Sequence, residues 1–139
     1  MPPAIDTASL PAAITGLHAG VLALVYLVLS LRVVQLRVAL RQPLGDAGQQ
    51  RLARAVRMHG HFAEYVPLAL LLMLLLELAR LPAALLHGYG LALLASRVLH
   101  LVGLGRTPEN LAWRLAAMVL TVHLIGAAAV WLVLAWWRG

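Results

Sequence analysis

The chain has 139 residues, which suits one domain, and 63% of them are hydrophobic against 12% charged. That balance excludes an ordinary soluble domain, and the absence of cysteine excludes disulfides, thiolate metal sites and a cysteine nucleophile. The net charge of +6 comes from eleven arginines with no lysine, which in so apolar a chain signals membrane topology and lipid contact rather than nucleic-acid binding.

Between Asp6 and Arg32 lie 25 residues without Asp, Glu, Lys or Arg. A first span is expected over Leu10–Leu36, with Pro11 in its first turn. No basic residue precedes it and it is too long for a signal-peptide core, so it reads as a span and not a cleaved leader. A turn-rich loop follows, Gln42-Pro43-Leu44-Gly45-Asp46-Ala47-Gly48. The second helix is expected from Gln49 to Ala79, ending before Leu81-Pro82. At 1.5 Å per residue its roughly 45 Å exceed the hydrocarbon core, so its arginine-rich start protrudes into the headgroups. The third span covers Ala83–Leu104, closed by Gly103 and Gly105. The turn Arg106-Thr107-Pro108-Glu109-Asn110 leads to the fourth, Leu111–Trp137, with Trp136 and Trp137 in an interfacial belt. Four such spans predict an all-α integral membrane protein, one four-helix bundle domain over 1–139.

Arginine placement orients the spans. Nine of the eleven flank the first and third connections, and only Arg80 and Arg138 lie at the opposite side. The positive-inside rule then puts both termini outside and both arginine-rich connections in the cytoplasm.

The densest polar cluster is Arg54-Ala-Val-Arg57-Met-His-Gly-His61-Phe-Ala-Glu64-Tyr65, running into the apolar stretch Leu68–Leu76. Ionisable groups at membrane depth are costly and mark functional sites. At 100° per residue, positions 54, 57, 61, 64 and 65 fall within about 100° of one another. His59 and Gly60 point elsewhere, with Gly60 suited to close helix approach. Arg97 and His100 end the third helix one turn apart, Arg114 begins the fourth, and Arg32 and Arg37 end the first. Together they predict a strongly cationic pocket holding one carboxylate and one phenol, suited to a small polyanion that also offers an amine or amide to Glu64. The competing reading is that the arginines only set topology and reach phospholipid.

The run Arg57-x-His59-Gly60-His61-x-x-Glu64-Tyr65-x-Pro67-Leu68 resembles the second-helix signature of the MAPEG family, the membrane-associated proteins in eicosanoid and glutathione metabolism. Arg32-Val-Val-Gln-Leu-Arg37, Gly45-Asp46, Arg97-x-x-His100 and Arg114 with Leu120-Thr121 are similar too, so the likeness covers nearly the whole chain. The resemblance implies a homotrimer with glutathione between neighbouring subunits at the cytoplasmic side. It also implies a glutathione transferase or peroxidase acting on lipophilic electrophiles or lipid hydroperoxides that arrive from the bilayer. It assigns Arg57, Glu64 and Tyr65 to glutathione, with His61, Arg97, His100 and Arg32 in support, and Arg114 to thiolate stabilisation. A guanidinium lowers a thiol pKa, and the thiolate is the nucleophile. Two positions depart from the pattern: the family usually has asparagine where this chain has His61. The tyrosine common among eicosanoid enzymes one turn past the third-helix histidine is Leu104 here.

His18, His87 and His123 lie in or near the spans, where paired histidines suit either helix–helix hydrogen bonds or b-type haem. Glu77 and Arg80, at i and i+3, suit a local ion pair. Pro67 suits a bend. Besides the enzyme, the residues therefore allow a non-catalytic protein that binds anionic lipid or a partner protein, and a haem or quinone carrier. No metal site is expected.

Overall fold

In a computed structural model, residues 12–105 and 110–138 are described; Pro11 and most of the turn before Asn110 lie outside them. The chain forms four α-helices, α1 (Ala13–Leu40), α2 (Gln50–Leu78), α3 (Ala83–Gly105) and α4 (Leu111–Arg138). All four are long and apolar enough to cross a membrane. The expected spans sit within a few residues of these bounds, except that α1 continues past Leu36 to Leu40. There Arg41 takes a left-handed conformation (φ 50°) and the Gln42 amide bonds the Arg37 carbonyl at 2.9 Å, closing the helix as such caps do.

α2, like α3, packs against the other three helices. Its buried residues Leu52, Ala55, Met58, Phe62, Val66, Ala69, Met73 and Leu76 recur every three or four positions, the stripe that one core-facing helix side requires. Around it lie two apolar clusters. One joins Leu22, Leu29, Phe62, Leu93 and Leu104; the other joins Met73, Leu76, Leu86 and Ala128. Leu24, Val28, Val130, Trp136 and Trp137 are exposed. So much outward apolar surface has its natural solvent in lipid. α2 runs unbroken through Pro67.

At the end of the bundle away from the α1–α2 connection, α1 has no capping side chain of its own, because Ala12 occupies the cap position. Glu77 of α2 supplies one. Its carboxylate accepts the amides of Ile14 and Thr15 at 2.9 and 2.7 Å, two of the amides that a helix start leaves unpaired. The local Glu77–Arg80 pair expected from spacing is thus replaced by an interhelical cap, since two backbone donors lie within reach of the carboxylate. Nearby, His18 Nε2 and His87 Nδ1 lie 3.3 Å apart, joining α1 to α3. Gly90 makes this possible: a β-carbon there would fall 2.4 Å from the His18 ring.

Gly60, by contrast, has nothing within 4 Å of where its β-carbon would stand. It faces open space and not the neighbouring helix expected from the sequence.

Candidate functional site

At the loop end of the bundle α2, α3 and α4 line a cavity of about 810 Å³. The α2 stripe supplies its central wall, with Arg57, Gly60, His61, Glu64 and Tyr65; His100 of α3 and Arg114, Leu115 and Met118 of α4 face them. Arg37 and the loop residues Gly45 and Asp46 complete the rim. Seven residues singled out in the sequence thus line one space: Arg37, Arg57, His61, Glu64, Tyr65, His100 and Arg114.

Aromatic stacking sets the floor. His61 lies between Tyr65, with ring centroids 4.6 Å apart, and His100, at 4.0 Å. His59, on the other side of α2, stacks instead on Tyr26 of α1 at 4.8 Å. Arg97 does not line the cavity. It stands behind His61, only 1% exposed, and anchors α3 to its neighbours. Its guanidinium donates to the Thr121 hydroxyl of α4, to Ser96 Oγ at 3.2 Å and to His61 Nδ1 at 3.1 Å. Thr121 turns its own proton to the Ala117 carbonyl at 2.8 Å.

This arrangement fixes the chemistry of His61. A guanidinium has donors only, so Nδ1 must accept and the neutral ring carries its proton on Nε2. Nε2 lies 3.3 Å from Met118 Sδ on the cavity wall, a weak acceptor that a better one displaces readily. His61 therefore presents a hydrogen-bond donor to the cavity, as an asparagine amide would. Both ring nitrogens of buried His100 lack a partner among the described residues, a costly state unless a ligand or water bonds them.

Arg114 is placed by contacts between the end of α3 and the start of α4. The Asn110 amide bonds the Gly103 carbonyl at 3.0 Å, and the Asn110 side chain caps α4 through the Trp113 amide at 3.2 Å. A β-carbon on Gly103 would come within 3.0 Å of Arg114 Cγ and 3.2 Å of the Asn110 carbonyl, so glycine permits this approach.

Arg32 does not reach this cavity; it lines separate spaces beside α1. The α1 arginine at the rim is Arg37, whose Nη1 donates to the carbonyls of Gln42, Pro43 and Gly45 at 3.1–3.2 Å. It thereby folds the loop that brings Asp46 to the cavity, where Asp46 also accepts the Gly48 amide at 3.0 Å. The lining thus carries two carboxylates, Asp46 and Glu64, against Arg37, Arg57 and Arg114. It is a mixed-charge site and less cationic than the sequence suggested. Asp46, Gly60 and Met118 are lining residues that sequence reasoning did not assign; the Gly45-Asp46 pair was the one available hint. Leu104, where eicosanoid enzymes carry tyrosine, is buried in the apolar core.

The other histidines are engaged elsewhere. His18 and His87 face each other, and His123 Nδ1 lies 2.7 Å from the Val119 carbonyl of its own helix. Among the described residues no group of three His, Cys, Asp or Glu side chains is arranged to hold a metal ion.

Fold and site together define a class: an integral membrane protein of four helices with a mixed-charge cavity opening at its loop end. Residues 15–134 match the MAPEG family, and the chain belongs to that family. It is 38% identical over 90 residues to the inner membrane protein YecN of Escherichia coli strain K12, a match spanning 65% of this chain and 69% of that protein. YecN of Escherichia coli O6:H1 is similar to the same extent. No solved structure matches the chain.

Proposed function

We propose that the loop-end cavity binds glutathione and presents its thiolate to lipophilic electrophiles or lipid hydroperoxides. The observation that carries this reading is the convergence of Arg57, His61, Glu64, Tyr65, His100 and Arg114 on one space. Its volume falls within the roughly 300–1,000 Å³ of pockets that enclose drug-sized ligands, enough for a tripeptide. Glutathione carries two carboxylates, an ammonium group and a thiol. Arg57 and Arg37 suit the carboxylates as guanidinium forks do, and Glu64 or Asp46 suits the ammonium group. Tyr65 and the His61 Nε2–H add neutral donors.

Arg114 is assigned to the sulfur. A nearby guanidinium favours the charged form of a thiol, raising the fraction of nucleophile at neutral pH. Towards an electrophilic carbon, the thiolate forms the C–S bond as the leaving group departs or as the neighbouring π bond takes up the electron pair. Towards a hydroperoxide, the thiolate attacks the terminal oxygen and the O–O bond breaks. The alkoxide takes a proton from solvent to become an alcohol, leaving glutathione sulfenic acid, which a second glutathione converts to disulfide and water.

The reading further places the chain in the inner membrane, as the names of its relatives suggest. Its termini lie outside, its cavity on the arginine-rich cytoplasmic side, and three copies assemble with glutathione between them, as the family resemblance implies. The test is ultraviolet thiolate absorbance on adding glutathione to detergent-purified protein. A thiolate band that disappears in Arg114→Gln is expected. No band in the natural protein, or an unchanged band in the variant, overturns the mechanism.

A further inference from the structure

Met118 of α4 brings the only sulfur among the described residues that wall the loop-end cavity. Its Sδ lies 3.3 Å from His61 Nε2. Because Arg97 donates to His61 Nδ1 at 3.1 Å, the neutral ring holds its proton on Nε2 and donates it toward the sulfur. A thioether accepts that proton weakly, so the contact gives way to any better acceptor. The other two described methionines are placed differently. Met58 and Met73 are 5% and 0% exposed within the apolar clusters, whereas Met118 is partly exposed at the cavity. Leu111 and Leu115, seven and three residues before it on the same wall, are 71% and 62% exposed. They give the cavity an apolar edge suited to an acyl chain. Met118 stands at the inner end of that edge, roughly 10 Å further along the helix than Leu111, within reach of a peroxide group carried partway down a chain.

We propose that Met118 is a modification site: a lipid hydroperoxide oxidises its thioether to the sulfoxide, whose oxygen captures the His61 Nε2–H and closes the cavity to glutathione. The effect on binding rests on the glutathione reading; the oxidation and the capture do not. The sulfur lone pair attacks the terminal peroxide oxygen, and the S–O bond forms as the O–O bond breaks. The proton of the hydroperoxide passes to the departing alkoxide oxygen, which leaves as an alcohol. Sulfur loses two electrons and the peroxide gains them, so no further reactant takes part. The product carries a polar oxygen where an apolar thioether stood, on a flexible side chain already in contact with the donor. Arg97 holds the ring in place for this capture. With Nδ1 committed as acceptor, His61 cannot turn its proton elsewhere without losing the guanidinium bond. The donor offered to glutathione is then engaged inside the chain, and hydroperoxide in excess of glutathione shuts the site that consumes it.

The test treats the full chain in detergent with linoleic acid hydroperoxide and follows each methionine by the mass of its proteolytic peptide. Met118 is expected to gain oxygen about tenfold faster than Met58 or Met73. In protein labelled with heavy nitrogen at histidine, the His61 Nε2 resonance should shift on oxidation, and should not shift in Met118→Leu treated alike. Glutathione affinity by calorimetry should fall about tenfold on oxidation of the natural chain, the loss expected from removing one donor. The same treatment should leave the affinity of Met118→Leu, and of His61→Leu, where each stood before it. The peptide masses and the resonance of the natural chain need no variant to fold. Equal oxidation of the three methionines, an unmoved His61 resonance, or undiminished affinity of the oxidised natural chain overturns the proposal. A natural chain that binds no glutathione before treatment overturns the glutathione reading instead, and the masses and the resonance still decide the modification.

Discussion

Two histidine pairs occupy opposite ends of the same bundle and do different things. At the far end, His18 and His87 bond each other across α1 and α3, Gly90 makes room for the ring, and Glu77 closes the start of α1. Glu77 and the two histidines there are consumed in joining helices. At the loop end, His61 and His100 stack face to face beside an open cavity, His61 presents Nε2–H toward a thioether, and His100 has no described partner. The lesson is that histidine content does not mark a site in a membrane bundle. What separates the two histidine pairs is that His18 and His87 partner each other, whereas His61 and His100 border an open cavity.

Substitutions can break or sharpen this contrast. The largest effect is expected at Arg114→Gln, where losing a charge stabiliser should lower transferase or peroxidase turnover by about 10²–10³-fold, read from initial rates with a lipophilic electrophile. At the far end, Gly90→Ala forces a β-carbon into the His18 ring. It should cost about 1–3 kcal/mol of stability by thermal unfolding in detergent, while glutathione affinity stays the same. Glu77→Gln replaces a charged cap by a weaker neutral one and should cost about 1 kcal/mol, again without effect on glutathione. His61→Leu removes one donor and should weaken glutathione binding about tenfold, whereas His61→Asn keeps a donor and should stay within a few-fold by calorimetry. Smallest is Gly60→Ala, which meets no atom within 4 Å. It should leave stability within about 0.5 kcal/mol and lower glutathione affinity only a few-fold by narrowing the cavity. A loss of ligand binding in Gly90→Ala at unchanged stability would erase the distinction between the two ends.

Much of this was legible in the residues. The four spans follow from uncharged runs long enough to cross a bilayer, and the α2 wall follows from helical spacing alone. What periodicity does not give is the identity of the neighbour that each face meets. Arg32 and Arg37 are five residues apart, about 140° around the helix, so they serve different cavities although both lie near the same end. Glu77 follows the same rule: spacing reveals Arg80 nearby, but the amides it caps are more than sixty residues away. Asp46 reaches the site because Arg37 gathers three loop carbonyls, a fold-back that composition only marks as a turn. The donor state of His61 depended on buried Arg97, a contact between helices that no sequence motif encodes.

The clasp formed by Glu77 has a consequence for biogenesis. The acceptor for the leading amides of the first span lies near the close of the second, so a ribosome must thread some sixty further residues before those amides find their carboxylate. A nascent chain carrying only the first segment presents them raw at the membrane surface. Partitioning into lipid as a paired hairpin, rather than segment by segment, is the course this geometry favours.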